Sequence, residues 1–210
     1  MTSMEKTLLE KHAEVATPPL EIEEIHSTHT GLDSRKLGIW LFIASEVLFF
    51  TSLIATYLMY RPVVPREQGL GHLNLLVASA NTFILLMSSM TMVTALAAIR
   101  NGSVSRMRLW LLVTALLGLL FLSGQVYEYT LLFQEGILPN TNLFGATFFT
   151  TTGFHGTHVF IGVSWIIGVL LRAWRGGVTP QNNLSVEMVG LYWHFVDIVW
   201  VVLFTVIYLI

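Results

Sequence analysis

The residues able to do chemistry are few, and they sit in apolar surroundings: Glu46, Glu128, His155, His158, His194 and Asp197, with Glu187 close by. His155 and His158 are three residues apart, as are His194 and Asp197, so on a helix each pair shares a face. Gln125 and Glu128 form a third such pair. An Asp three residues after a His can take its ring proton or support an imidazolium. Imidazoles and carboxylates in this mixture could ligate iron or copper. They could relay protons or ions. They could also hydrogen-bond helix to helix and hold lipid headgroups or a partner subunit. No His pair at a spacing of four with a general-base Glu is present, nor any haem-attachment motif. No Pro-broken helix or inverted repeat points to a carrier. Tyr127, Tyr192, Trp193 and Trp200 serve either as interfacial anchors or as donors to the acids, and anchoring is the plainer reading for Tyr127 and Trp200.

The elements that position these groups follow from composition. Of 210 residues, 54% are hydrophobic and 11% charged, and mean hydropathy is +0.67. Soluble domains carry about 25% charged residues. The formal charge of −2 gives no footprint for nucleic acid. With no Cys, disulfides, thiolate metal sites, Fe–S clusters and a Cys nucleophile are excluded. Apolar runs cover 37–60, 73–99, 109–133, 143–171 and 189–210, with no internal Pro and no Lys or Arg before their last residues. Each exceeds the ~20 residues that cross ~30 Å of hydrocarbon. Hydrocarbon leaves no water for the backbone, so the runs are expected to be helices. The ~10-residue alternating segments of a membrane barrel are missing. The expected fold is therefore all-α: a polytopic membrane protein with five transmembrane helices over 37–210.

Residues 1–36 hold most of the acids and no apolar core after a basic start, so they are not a signal peptide. They are expected to be a polar, disordered tail, with a short helix at 4–15 as the exception. Arg35, Lys36, Arg100, Arg106, Arg108, Arg172 and Arg175 fall on one side of the membrane, Arg61 and Arg66 on the other. The positive-inside rule then puts the N-terminus inside and the C-terminus outside. At 1.5 Å per residue, Glu46, His155 and Asp197 come out about 12–13 Å from the inner face, and His158 and His194 about 8 Å. Glu46, His155 and Asp197 are thus expected at one level, with Glu128 near the outer surface. No Lys or Arg lies inside the runs to pair with these acids, so they must be protonated or bonded to His, Tyr, Trp or hydroxyl donors. Gly153, Gly156 and Gly162 on the fourth run, and Thr51 and Ala55 on the first, are expected to allow close helix approach.

Several segments resemble subunit III of the heme–copper terminal oxidases. They are SEVLFF (Ser45 to Phe50), GATFFTTTGFHGTHVFIG (Gly145 to Gly162) and YWHFVDIVW (Tyr192 to Trp200). Gln125 to Tyr129 is similar to the family's Gln-x-x-Glu-Tyr stretch, and Glu187 stands seven residues before His194 as in the family. The likeness covers 37–210 and matches a five-span form that begins where the third span of seven-span members would. It implies a non-catalytic subunit of a proton-pumping cytochrome c oxidase in a bacterial cell membrane, with a quinol oxidase as the alternative. An independent transporter or proton channel is the alternative of another class. The resemblance further implies that this subunit binds no haem or copper, which belong to subunits I and II. It would pack on subunit I, beside subunit II and small subunits, and hold structural phospholipids. Glu46 matches a carboxyl known in the family for reacting with hydrophobic carbodiimides. Glu46, Gln125, Glu128, His155, His158, Glu187, Trp193, His194 and Asp197 are carried over as intramembrane polar, lipid-cleft or subunit-packing residues, none with a catalytic role.

Overall fold

A computed structural model describes residues 34–63 and 74–210. The described residues form α1 (Ser34–Tyr60), a 3₁₀ turn (Arg61–Val63), α2 (Leu75–Arg100), α3 (Val104–Gln134), α4 (Leu143–Trp174) and α5 (Leu184–Phe204), which runs into a π-helical turn (Thr205–Leu209). No strand occurs among them. Five helices are long and apolar enough to cross a membrane, as the sequence predicts. The described residues divide into two units between Leu41 and Phe42, inside α1. The expected short helix at 4–15 lies outside the described residues, as does most of the expected tail; Ser34 to Lys36 already belong to α1.

The helix ends depart from the apolar runs. α3 starts at Val104, so Arg106 and Arg108 lie in its first turns. α5 starts at Leu184 and takes in Glu187. Hydropathy marks where the apolar stretch begins, but charged residues are good helix formers and extend it into the headgroup region. Tight turns close the helices. Gly102, Gly136 and Gly176 each follow a helix end at φ of +78 to +79°, a conformation that only Gly adopts without strain. Asn74 and Asn142 cap the starts of α2 and α4, their side chains accepting backbone N–H bonds.

α2 and α3 form the most extensive helix pair, and α4 and α5 pack against them. The core of this unit is aromatic. Trp193, Trp200, Tyr192, Phe121 and Phe148 are buried within it. Glycines make room for the largest of them. A Cβ on Gly118 would stand 2.6 Å from the Trp193 ring and 2.7 Å from Val163, and one on Gly162 2.9 Å from Trp193. Gly156 lies under Gln125, and Gly124 under Asn81. Gly153 is looser: a Cβ there would meet only the Tyr129 hydroxyl, at 3.7 Å. Thr51 and Ala55 do not serve close approach, since both are exposed in this chain. α1 instead meets its neighbours through Ile43, Phe49, Phe50, Leu53, Ile54 and Tyr57, at the helical spacing of one face.

The glycine contacts make a testable contrast. Gly118→Ala forces overpacking against Trp193 and should destabilise the bundle by about 1–3 kcal/mol. Gly168, whose Cβ would meet nothing within 4 Å, should accept Ala with no loss. Unfolding in mixed micelles titrated with dodecyl sulfate, followed by circular dichroism, measures both; equal midpoints for the two variants would refute the packing account.

Candidate functional site

Polar side chains form a ladder through unit 42–210. Its ends are the Arg100 and Arg108 end and the Glu128 and Tyr208 end. At the first, Arg108 donates from Nη2 to the carbonyl of Ala173 at 2.6 Å, tying α3 to the end of α4. Arg100 lies 3.8 Å from Glu187. Glu187 therefore does have a cationic neighbour, supplied from a helix terminus.

The next rungs are two indoles. Trp193 donates through Nε1 to Ser88 Oγ at 3.0 Å, and Ser88 donates onward to Leu85 O at 2.6 Å. Trp200 repeats this with Thr82, which donates a hydrogen bond to Ala78 O. Each hydroxyl accepts once and donates once, so the buried groups are satisfied across α5 and α2. Trp200 is thus a core residue at 2% exposure, not the interfacial anchor the sequence predicts. Tyr127 is exposed. Tyr192 donates to the His158 carbonyl at 3.1 Å.

Between these rungs lie the imidazoles and acids. His158 Nδ1 stands 2.7 Å from Phe154 O, and its Nε2 stands 3.0 Å from Glu46 Oε2. A carbonyl only accepts, so Nδ1 carries hydrogen. One proton then remains for the Nε2–Oε2 bond. Whether it resides on nitrogen or oxygen, the pair is net neutral, which is how a carboxyl is sheltered at membrane depth. His194 Nδ1 meets Ser89 Oγ at 2.7 Å, and Ser89 also lies within hydrogen-bonding reach of Asp197. The sequence places His194 and Asp197 on one face, and a serine from α2 reaches both.

His155 is fully buried, and neither ring nitrogen has a partner among the described residues. It packs as an aromatic plate. Trp200 stacks on it at 5.0 Å between centroids, and Phe121 and Phe50 meet it edge-on at 5.8 and 6.4 Å. Glu46 aligns with His158, and His155 sits about one turn, ~4.5 Å, toward the Tyr208 end. Asp197, three residues before Trp200, falls on the Glu46 side of that turn.

Toward the other end, Gln125 donates to Thr152 O at 2.7 Å and to the Tyr129 hydroxyl at 3.0 Å. Tyr129 in turn bonds Thr152 Oγ1 at 2.7 Å. Glu128 is buried and receives the Tyr208 hydroxyl on both oxygens, at 2.8 and 2.9 Å. Tyr208, Ser88, Ser89 and Thr82 escape sequence reasoning. Their one signal is a polar atom inside an apolar run, which many Ser and Thr share without function. Among the described residues no three His, Asp or Glu come together as a metal-holding group. The arrangement is suited to fastening helices. A double-mutant cycle of Glu46→Gln with His158→Gln should return a coupling of about 0.6–1.7 kcal/mol. Glu46→Gln combined with Tyr208→Phe, on a distant rung, should be additive within about 0.5 kcal/mol. Zero coupling in the first cycle, read from dodecyl sulfate unfolding, would sink the pair.

Comparison with known proteins places the ladder in context. Cytochrome c oxidase subunit 3 of Synechocystis sp. is 42% identical over 189 residues, 89% of this chain and 80% of that protein. The protein of the same name from Thermostichus vulcanus is 41% identical, covering 88% and 92%. Quinol oxidase subunit 3 of Bacillus spizizenii is 38% identical, covering 82% and 85%. The family model for cytochrome c oxidase subunit III matches residues 21–210, beginning inside the stretch read from sequence as tail. The likeness thus spans all five helices, and the chain belongs to the cytochrome c oxidase subunit III family, a multi-pass membrane subunit of heme–copper oxidase complexes.

Proposed function

We propose that this chain is a non-catalytic subunit that stabilises the haem-bearing subunit I of a proton-pumping oxidase, in a bacterial cell membrane. The observation that carries this reading is how the intramembrane groups are used. Glu46 is engaged by His158 and Glu128 by Tyr208. Groups engaged in this way fasten helices and are poorly placed to ligate or to turn over a substrate. Haem and copper then belong to subunits I and II, and phospholipids cover the apolar surfaces left open. Cytochrome c is the proposed electron donor, in keeping with the names of two of the relatives above. A quinol is the second reading, favoured by the Bacillus relative. The basic end, with Arg100, Arg106, Arg108, Arg172 and Arg175, is proposed to face the cytoplasm. The candidate residues from Glu46 to Asp197 keep their proposed intramembrane packing and lipid-cleft roles.

Purification in mild detergent tests the assignment. The chain should co-elute with haem-bearing subunits, and CuA absorption in that complex would mark the cytochrome c form. Glu46→Gln should leave O₂ consumption by the assembled complex within about twofold of the parent. Loss of haem-centred electron transfer in a complex that still assembles would contradict a non-catalytic role.

A further inference from the structure

Exposed hydroxyls on the spanning helices are satisfied within their own helix. Thr94 donates to Met90 O at 2.9 Å, Ser123 to Leu120 O at 2.7 Å, Thr157 to Gly153 O at 2.9 Å and Ser164 to Phe160 O at 2.8 Å. Back-bonding of this kind lets a hydroxyl face hydrocarbon. The Glu46–His158 pair, also partly exposed, closes on itself.

His194 differs. Its Nδ1 is held by Ser89 Oγ at 2.7 Å, and its Nε2 has no partner among the described residues. The ring is half-buried at the edge where α2 meets α5, near the middle of the span Leu184–Leu209. It is too short to reach the headgroups, unlike a Lys or Arg that snorkels. Lipid chains offer Nε2 nothing, and an unpaired polar atom in hydrocarbon is unfavourable. Around it the edge is apolar and exposed. Leu86 and Val93 flank Ser89 by about one turn on α2, and Ile198 and Val201 follow His194 on α5.

We propose that this seam, Leu86, Ser89 and Val93 on α2 with His194, Ile198 and Val201 on α5, docks a transmembrane helix of the haem-bearing oxidase subunit. That helix presents a hydroxyl or amide side chain to His194 Nε2. The partner chemistry follows from Ser89. Ser89 has one proton to give: if it goes to Asp197, Nδ1 donates to Oγ and Nε2 accepts, and if it goes to Nδ1, Nε2 donates; hydroxyls and amides serve both. The apolar flanks suit a packed helix, and the single polar contact fixes its register, as interhelical hydrogen bonds do in membranes. The inference rests on the function proposed above and adds the face and the contact atom.

The test uses the full oxidase in native membranes. A photoreactive benzophenone amino acid replaces Leu86 or Ile198 on the seam, and Leu120 or Phe160 on α3 and α4 for comparison. Irradiation should link the seam positions to the haem-bearing subunit. In the purified complex His194→Leu should raise the dissociated fraction of this chain about three- to tenfold, and His194→Gln should restore most of the association. Lipid-only adducts from Leu86 and Ile198, adducts to a second copy of this chain, or a His194→Leu complex as stable as the parent would each overturn the proposal. A chain that never co-purifies with a haem-bearing subunit overturns the proposed function as well. An intact complex with lipid-only adducts at the seam overturns the docking face alone.

Discussion

Hydrocarbon accepts and donates no hydrogen bonds, and that one constraint shapes how this chain is put together. An imidazole, carboxyl, amide or indole placed at membrane depth either finds a partner in protein or, like His155, is enclosed among other side chains. Glu46 finds His158, Glu128 finds Tyr208, and Trp193 and Trp200 find the hydroxyls of Ser88 and Thr82. In each case the donors and acceptors come from different helices. Because apolar burial cannot separate helix from lipid, these bonds and close packing supply the specificity of the fold.

Close packing depends on where side chains are absent. Gly118 and Gly162 receive the faces of Trp193, which brings α3 and α4 onto α5 and sets the indole at the height of Ser88. Seven residues further along α5, Trp200 stacks on His155 and bonds Thr82. The two tryptophans therefore act as paired spacers that fix the antiparallel register of α2 and α5. From Phe42 onward α1 keeps many exposed side chains. It is joined by the Phe49 and Phe50 contacts and by the Glu46–His158 bond.

His155 shows how residue type misleads when environment is hidden. In sequence its imidazole suits ligation, a proton relay or a hydrogen bond between helices. In the fold it is an aromatic plate among Trp200, Phe121 and Phe50. His158, three residues away, keeps the chemistry that the spacing promised. Which of two nearby imidazoles meets a carboxyl depends on the height at which α1 crosses α4, and no local pattern encodes that height.

The sequence by itself determined the number of spanning helices, their apolar lengths and the identity of the polar exceptions, because the thickness of hydrocarbon and the absence of water act on each segment separately. It also carried the family likeness, since SEVLFF and YWHFVDIVW are contiguous. Only the tertiary structure decided the partners: Ser89 between His194 and Asp197, Tyr208 on Glu128, Arg100 beside Glu187. Those pairings join residues that are 80 or more positions apart in several cases. They arise from the rotation and sliding of whole helices against one another, a choice made by the fit of indoles over glycines rather than by any one helix alone.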